Sequence, residues 1–177
     1  MERRIDFIRL DSPIGPLLLA DAGHGLCAVH FPAADGAPDL DGLRARLRPR
    51  YGSFCLVENA ERLSRAAACL EDYFAAPAAV AAYPGPLDPG GTRFQQQVWD
   101  RLIRIPPGQT ATYGGIARRL GSPLAARAVG AACGANPLGI VIPCHRVVGK
   151  SGKLTGFGGG LQLKARLLEM EGWTVPV

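Results

Sequence analysis

A long hydrophobic run is the first thing that the sequence lacks. No stretch approaches the ~20 consecutive apolar residues that a membrane-spanning helix needs, and the charged N-terminal residues 1–6 contain no uncharged core of a signal peptide. Hydrophobic residues make up 47% of the chain and charged residues 20%, as in ordinary globular proteins. We therefore expect a cytoplasmic protein with no membrane partner.

Paired cysteines are also missing. The five cysteines are odd in number, scattered, and never arranged as Cys-x-x-Cys, which argues against a disulfide framework, a zinc ribbon or a redox motif. In a reducing compartment we expect free thiols. Four of them are predicted to be small hydrophobic residues of the core: Cys27, Cys55, Cys69 and Cys133.

Acidic residues are scarce in the second half of the chain. Residues 1–91 carry nine basic and twelve acidic side chains, a net charge of −3, whereas residues 92–177 carry eleven basic and three acidic ones, a net charge of +8. Such a division within a short chain favours a second half that faces a polyanion. The alternative is an uneven but merely solvated surface.

The first half of the sequence predicts strands followed by helices. Ile5 and Phe7 alternate with polar neighbours, and two apolar runs, 17–20 and 26–31, flank a Gly-His-Gly turn. A helix is predicted over 40–47, a strand over 54–57, and a second helix after Asn59, which can cap it. In that helix Leu63, Ala67, Leu70 and Phe74 recur at helical spacing. The pattern predicts an α/β domain with a small antiparallel sheet.

A linker is predicted between two domains. Residues 75–91 contain four prolines and three glycines, a composition that disfavours both helix and strand. We place the N-terminal domain at 1–85, the linker at 86–91 and the C-terminal domain at 92–177.

The second half is predicted to be mostly helical. Helices are expected over 94–103, over 113–120 after a cap at Thr112, and over 124–133, and the last two form a helix-turn-helix. The third helix carries almost only small side chains, with Arg127 as its one long cation. Without long side chains a helix can enter the minor groove, which is only ~6 Å wide. The alternative is a helix packed inside the protein.

The stretch Ile140-Val141-Ile142-Pro143-Cys144-His145-Arg146 carries the candidate chemistry. A thiolate is a strong nucleophile, and it needs a base or a cation to form near neutral pH. His145 supplies a base, but side chains of adjacent residues rarely touch, so we expect one water between them. No further residues at metal-ligand spacing accompany the pair, and no metal is expected. The alternative is a buried cysteine beside a surface histidine.

Two features follow this stretch. The glycine-rich segment 156–160 lacks the lysine of a phosphate loop, and its Phe157 ring can stack on something flat. A final helix is predicted over 161–171, stopped by Gly172. Glu171 then lies where the helix dipole disfavours a carboxylate by ~0.3–1 kcal/mol. It could orient His145 as part of a Cys-His-Glu relay; otherwise it is a surface acid.

The order and spacing of several motifs resemble the O6-alkylguanine-DNA alkyltransferases. The resemblance spans residues 92–172 and is carried by Phe94-Gln95-Gln96-Gln97-Val98-Trp99, Ile105-Pro106-Pro107-Gly108-Gln109-Thr110, Tyr113-Gly114, Ala126-Arg127-Ala128-Val129-Gly130, Asn136-Pro137 and Pro143-Cys144-His145-Arg146-Val147. The N-terminal half is similar chiefly through Leu10-Asp11-Ser12-Pro13-Ile14-Gly15, and the resemblance implies a ribonuclease H-like domain there.

The resemblance implies a repair activity. Such proteins bind duplex DNA through the minor groove and rotate an alkylated guanine out of the stack. Their cysteine removes the alkyl group from O6-alkylguanine, and from O4-alkylthymine, in a single turnover without a cofactor. A monomer is expected, with clustering of copies along DNA as the alternative.

The same resemblance assigns roles to individual residues. Cys144 would accept the alkyl group, His145 would take its proton through water, and Glu171 would hold the imidazole. Asn136 would brace the turn that presents the thiol, and Tyr113 would help to rotate the nucleotide and donate to the departing guanine. Arg127 would fill the gap in the stack. The remaining residues would serve as DNA contacts, namely Ala126, Ala128 and Gly130, or would form the substrate pocket, namely Val147, Phe157, Gly158 and Gly159.

The chain departs from the commoner family pattern at two positions. Phe157 and Gly158 stand where Tyr and Ser are usual, so hydroxyl contacts are lost and the preference among alkyl groups is open. The zinc ligands of some relatives are not reproduced, since only Cys27 and His30 lie nearby. Three other functions remain as alternatives: a protein that binds the lesion without repairing it, a helix-turn-helix regulator, and a cysteine hydrolase.

Overall fold

The computed structural model describes residues 2–77 and 83–174 of the chain. These residues form two compact units, one made of 2–75, 83–90 and 137–141, the other of 76–77, 91–136 and 142–174. Residues 78–82, at the end of the predicted N-terminal domain, and residues 175–177, at the end of the predicted C-terminal domain, lie outside the described residues.

The first unit is built on a four-stranded sheet. Its strands are β1 (Arg3–Leu10), β2 (Leu17–Asp21), β3 (Leu26–His30) and β4 (Phe54–Glu58), in the order β3-β2-β1-β4. The β1–β2 and β2–β3 pairs are antiparallel, but β4 runs parallel to β1, with Ile5 opposite Leu56. The prediction of an antiparallel sheet is therefore wrong at this strand. A parallel neighbour needs a long crossover, and the 23 residues between β3 and β4 contain a helix that supplies it.

Two helices complete this α/β unit. The first, α1 (Leu40–Tyr51), is capped by Asp39, whose carboxylate accepts from the Gly42 amide at 2.8 Å. It runs past its predicted end and through Pro49, because Leu43, Leu47 and Tyr51 repeat every four residues and pack on the core.

The second helix, α2 (Ala60–Ala75), begins as predicted after Asn59, whose side chain accepts from the Arg62 amide at 3.1 Å. Its buried face differs slightly from the prediction. It consists of Leu63, Ala66, Leu70 and Tyr73, while Ala67 and Phe74 are half-buried.

Strand β3 is hydrogen-bonded on its outer side by two short segments. The Leu26 amide donates to the Pro86 carbonyl at 3.0 Å, the Asp88 amide donates to the Leu26 carbonyl at 2.9 Å, and the Val29 amide donates to the Pro137 carbonyl at 2.9 Å. Residues 86–88, which the composition assigned to the linker, thus belong to the first unit's hydrogen-bond network.

The second unit is mostly helical. It contains α3 (Arg93–Ile103), β5 (Ala111–Thr112), α4 (Tyr113–Arg119), α5 (Ala126–Gly134), a 3₁₀ turn (Cys144–Arg146), β6 (Val147–Val148) and α6 (Leu161–Met170). The predicted cap of α4 is confirmed: the Thr112 hydroxyl accepts from the Gly115 amide at 3.0 Å. Helices α3 and α4 both contact α5, where the Trp99 indole donates to the Ala132 carbonyl at 2.9 Å. The predicted stop at Gly172 has φ +83°.

Two predictions on buried residues have different outcomes. Cys27 and Cys133 are buried as expected, but Cys55 is exposed and Cys69 only half-buried, so these two are not core residues. Cys55 lies on β4, the last strand of the sheet order, and Cys69 lies on α2 at the edge of its buried face, between Ala66 and Tyr73. Within residues 2–77 and 83–174, no helix has the length and hydropathy of a membrane span.

Candidate active site

The 3₁₀ turn sends consecutive side chains in different directions. The turn is held by the Cys144 amide, which donates to the Ile142 carbonyl at 2.8 Å, and by the Arg146 amide, which donates to the Pro143 carbonyl at 3.0 Å. Cys144 is buried but lines a cavity. His145 is completely buried and contacts Glu171 on α6's C-terminal end instead. A thiol and an imidazole that are adjacent in the chain therefore have separate surroundings.

Asn136 joins the end of α5 to the turn. Its side-chain amide donates to the Ile142 carbonyl at 2.8 Å and lies 3.2 Å from Cys144 Sγ. Both contacts are buried, and an N–H group that points at sulfur favours the negative thiolate over the neutral thiol. The amide thus fixes the backbone before Cys144 and places a donor at the sulfur.

A buried ion-pair cluster lies behind the turn. His145 Nε2 is 2.8 Å from Glu171 Oε1, and Arg146 donates to both oxygens of the same carboxylate, from Nε at 2.9 Å and from Nη2 at 2.8 Å. Arg146 Nη1 also donates to the Ile105 carbonyl. Sequence reasoning identified Glu171 but missed Arg146, because nothing in the local pattern shows that the arginine turns inward.

The electrostatics of this cluster favour a neutral imidazole beside a charged carboxylate. Burial lowers the pKa of His145 below its ordinary value of 6.5, although the Glu171 carboxylate opposes this. Burial would raise the pKa of Glu171, but the hydrogen bonds from His145 and Arg146 outweigh it and bring the pKa down to about 2. The carboxylate accepts from Nε2–H, so the neutral ring carries its hydrogen on Nε2 and leaves Nδ1 as an acceptor. His145 Nδ1 has no hydrogen-bond partner among the described residues.

Lys164 on α6 is a second buried cation that the sequence analysis missed. Its side chain is fully buried, and Nζ donates to the carbonyls of Val147 at 2.6 Å, Thr155 at 2.7 Å and Gly156 at 3.4 Å. Burial lowers the pKa of Lys164. The amino group ties β6 to the segment that forms one wall of the cavity. Helical spacing alone does not distinguish a buried lysine from an exposed one.

The cavity in front of Cys144 has a volume of about 900 Å³. Seven of the predicted site residues line it: Tyr113, Ala126, Arg127, Gly130, Cys144, Phe157 and Gly158. Eight further lining residues were not predicted: Thr112, Gly114, Arg118, Cys133, Gly134, Lys150, Thr155 and Gly156. The structure therefore brings residues of α4, α5, the 3₁₀ turn and the 150–158 segment around one space.

Other predicted site residues do not line this cavity. Ala128 is exposed on another face of α5, Gly159 lies just beyond the lining segment, and Val147 is completely buried with its carbonyl bonded to Lys164. Asn136, His145 and Glu171 are buried behind the turn.

Two aromatic rings shape the cavity. The Tyr113 hydroxyl donates to the Thr155 carbonyl and accepts from the Thr155 hydroxyl, both at 3.3 Å. Burial raises the pKa of Tyr113, so its phenol stays protonated and can donate. The Phe157 ring lies 6.5 Å from the His145 ring, edge to face at 80°. A flat ligand would therefore meet an aromatic wall and a neutral hydroxyl, whose hydrogen is donated to the Thr155 carbonyl in this structure.

A second thiol, Cys133, lines the same cavity. Burial raises the pKa of Cys133 to about 12, and the nearby Cys144 adds to the shift. Cys133 therefore remains a neutral thiol at working pH, while Cys144 has the Asn136 donor at its sulfur. Sequence reasoning placed Cys133 in the core, and only the tertiary structure puts it at the cavity.

A buried cysteine in the wall of a cavity, with a hydrogen-bond donor at its sulfur, defines a class of proteins whose cysteine reacts with a ligand bound in that cavity. Residues 93–173 match the family model described as 6-O-methylguanine DNA methyltransferase, DNA binding domain.

No group of three or more metal-ligating side chains occurs within the described ranges.

Comparison with known proteins identifies the family. The chain is 46% identical to the methylated-DNA–protein-cysteine methyltransferase of Mycobacterium leprae over 92% of this chain and 89% of that one. It is 44% identical to the protein of the same name from Methanosarcina acetivorans, over 92% and 95%. Its structure superposes on Mycobacterium tuberculosis OGT, crystallised in complex with DNA, with a TM-score of 0.75 and 41% identity over 95% and 92%. The chain belongs to the methylated-DNA–protein-cysteine methyltransferase family and is an enzyme of that class.

Proposed function

We propose that this protein repairs DNA by moving the alkyl group of O6-alkylguanine onto Cys144, once per molecule. The observation that carries the proposal is that, among the cysteines that the structure describes, Cys144 alone combines a place in the wall of the cavity with a donor at its sulfur, the Asn136 amide 3.2 Å away. The other cavity thiol, Cys133, has a pKa of about 12 and stays protonated. One of the two thiols is therefore equipped to become the nucleophile.

The alkyl transfer is a displacement at carbon. The Cys144 sulfur forms a bond to the alkyl carbon, the carbon–oxygen bond breaks, and guanine leaves with the electron pair. The thiol proton passes through one water to His145 Nδ1, which is a buried acceptor without a partner in the described residues. Glu171 accepts from Nε2 and stabilises the imidazolium that results. When the base is bound, the Tyr113 hydroxyl leaves the Thr155 carbonyl and donates its one hydrogen to the departing base.

The product determines the kinetics. The transfer leaves a thioether on Cys144, and water at neutral pH does not cleave a thioether. Each molecule therefore acts once, and the lesion itself is the alkyl donor. The same chemistry applies to O4-alkylthymine, which we include as a second substrate.

DNA binding is assigned to the helix-turn-helix formed by α4 and α5. The two helices contact each other, and α5 is made almost only of small residues around Arg127. Such a helix fits the minor groove and is poorly suited to reading base edges in the major groove. Arg127 lines the cavity and is exposed, so it can enter the stack when the damaged nucleotide rotates into the protein.

We assign a ribonuclease H-like fold to the first unit, whose sheet order is β3-β2-β1-β4 with one parallel pair. The protein acts as a monomer on duplex DNA.

Mass spectrometry tests the proposal directly. The protein is incubated with duplex DNA that contains one labelled O6-methylguanine, digested, and mapped peptide by peptide. We expect one methyl group on Cys144, none in Cys144→Ser, and unchanged transfer in Cys55→Ser, which removes an exposed cysteine of the first unit. Label on Cys133, or turnover beyond one lesion per molecule, would contradict the proposal. A protein that only binds the lesion, a regulator and a cysteine hydrolase all predict no label.

A further inference from the structure

Three cations surround the cavity. Arg118 comes from α4, Arg127 from α5 and Lys150 from the turn after β6, and all three are exposed lining residues. None of the fifteen lining residues is acidic. Within 2–77 and 83–174, none of the three cations forms a salt bridge with a carboxylate. Their charges are therefore available to an anionic ligand at no cost in broken ion pairs.

The scaffold holds these cations on separate but ordered elements. Lys150 lies in a tight turn closed by two hydrogen bonds, from the Gly149 amide to the Lys153 carbonyl at 2.9 Å and from the Gly152 amide to the Gly149 carbonyl at 3.0 Å. Arg118 lies one helical turn after Gly114, another lining residue, on the same face of α4. Cations on three independent elements can contact an anion from several sides.

We infer that Arg118 and Lys150 bind the phosphodiester groups on either side of the nucleotide that enters the cavity, while Arg127 enters the stack. This inference rests on the proposed function and deepens it. A base held against Phe157 and Tyr113 carries its own sugar and phosphates, and those phosphates must stay outside the apolar part of the cavity. The cations are the lining groups that can replace the water and counterions that these phosphates lose.

The expected effect is on extrusion of the damaged nucleotide and not on the first encounter with DNA. Contacts to the flanking phosphates of an extruded nucleotide form only once the nucleotide has left the stack. Loss of these contacts therefore slows repair at saturating protein and leaves the affinity for undamaged duplex almost unchanged. If a cation only adds to the general positive potential of the protein, its loss weakens the affinity for undamaged duplex as much as it lowers the repair rate.

The chain offers a matched control for each cation. Arg119 follows Arg118 on α4, and Lys153 lies in the same turn as Lys150; both are exposed basic residues that do not line the cavity. Substitution of either control removes the same net charge from the same element. A difference between each pair thus reports position and not charge alone.

The experiment compares Arg118→Ala, Lys150→Ala and the double variant with Arg119→Ala and Lys153→Ala. Three quantities are measured: the first-order methyl-transfer rate at saturating protein on a duplex with one O6-methylguanine, the Kd for the same duplex without the lesion, and the salt dependence of both between about 50 and 200 mM. We expect each cavity variant to lose about tenfold in saturated rate, which corresponds to about 1.4 kcal/mol, with Kd changed less than about twofold. The two controls keep the saturated rate of the unsubstituted protein.

Three outcomes would overturn the inference. These are a saturated rate that the double variant leaves unchanged, a Kd that weakens by as much as the rate, or control variants that lose as much as the cavity variants. A methyl group on Cys144 of the unsubstituted protein, detected by mass, supports the proposed function whichever way the Arg118 and Lys150 variants behave. The failure of this inference and the failure of the proposed function can therefore be distinguished. Urea unfolding of every variant checks that the exposed substitutions leave the fold intact.

Discussion

His145 Nε2 lies 2.8 Å from Glu171 Oε1, and the carboxylate that accepts from the imidazole is the one that Arg146 contacts with two nitrogens. The imidazole and the guanidinium belong to consecutive residues of the 3₁₀ turn, and both contact the buried carboxylate of Glu171, which lies at the C-terminal end of α6. A single carboxylate therefore sets the tautomer of His145 and compensates the buried charge of Arg146. Both the chemistry of the site and the stability of the second unit depend on it.

Glu171→Gln is expected to destabilise the protein strongly. The substitution keeps the size of the side chain but leaves Arg146 buried without a counter-charge, which costs about 3–5 kcal/mol. The alkyl-transfer rate falls as well, because the amide no longer stabilises a protonated His145. Glu169→Gln, which changes an exposed acid on the same helix, should stay within about 0.5 kcal/mol. Urea unfolding and single-turnover repair measure both effects, and equal stability of the two variants would refute this account of Arg146.

Stability is expected to fall as the pH decreases from neutrality. The pKa of His145 in the folded protein lies below its ordinary value of 6.5. As the pH falls below 6.5, the unfolded chain therefore binds a proton on His145 more readily than the folded chain does, and the free energy of unfolding decreases. The pKa of Glu171 is lowered from 4.5 to about 2, so its contribution is complete above 4.5 and is lost as the pH falls towards 2. Urea midpoints at pH 8, 6 and 4 should decrease in that order; a midpoint that rises on acidification would contradict both shifts.

Asn136→Ala is expected to reduce both stability and the reactivity of Cys144. The buried Ile142 carbonyl loses its donor, at a cost of about 1–3 kcal/mol, and the sulfur loses the N–H group at 3.2 Å. Asn59→Ala provides the comparison, because loss of the α2 cap costs about 1 kcal/mol of stability away from the site. Peptide mapping after brief exposure to iodoacetamide measures the labelling of Cys144. Slower labelling of Cys144 in Asn136→Ala, with unchanged labelling in Asn59→Ala, supports a role for the Asn136 amide in stabilising the thiolate. Equal labelling of the two variants would contradict it.

Lys164→Met is expected to loosen one wall of the cavity. The apolar side chain has a similar length but cannot donate to the carbonyls of Val147, Thr155 and Gly156. The buried Val147 carbonyl is left without its lysine donor, which costs about 1–3 kcal/mol, whereas the exposed Lys153→Met should change stability by less than about 0.5 kcal/mol. Hydrogen exchange of residues 147–158 would show whether protection is lost there. Unchanged protection would mean that Lys164 does not hold this segment.

The accuracy of the secondary-structure predictions depended on whether local chemistry was decisive. The caps of α2 and α4 were predicted because Asn59 and Thr112 act within their own first turn. The end of α1 was not, because Pro49 argues for an earlier stop and the packing of Tyr51 on the core overrides it. The parallel β4 was missed for a related reason: the direction of a strand depends on where its crossover returns, which no local pattern records.

The residues of the cavity also differ in whether local sequence or long-range packing reveals them. Tyr113, Arg127, Cys144 and Phe157 could be selected from motif and spacing, and the structure places all four at one cavity. Cys133, Arg118 and Lys150 could not be selected, because a small thiol and two ordinary surface cations have no distinctive pattern. Only the packing of α4 and α5 and the fold of the 149–153 turn bring them to the same space.

The sequence by itself determined which groups are chemically available: a thiol and an imidazole after a proline, a nearly side-chain-free helix around one arginine, and a carboxylate at the end of the last helix. These follow from residue type and short-range spacing. Only the tertiary structure decided which of these groups meet, which cysteine of two has a donor at its sulfur, and which cations surround the cavity. The physical reason is that burial and long-range contacts control charge and proton affinity, and both arise when distant segments pack together.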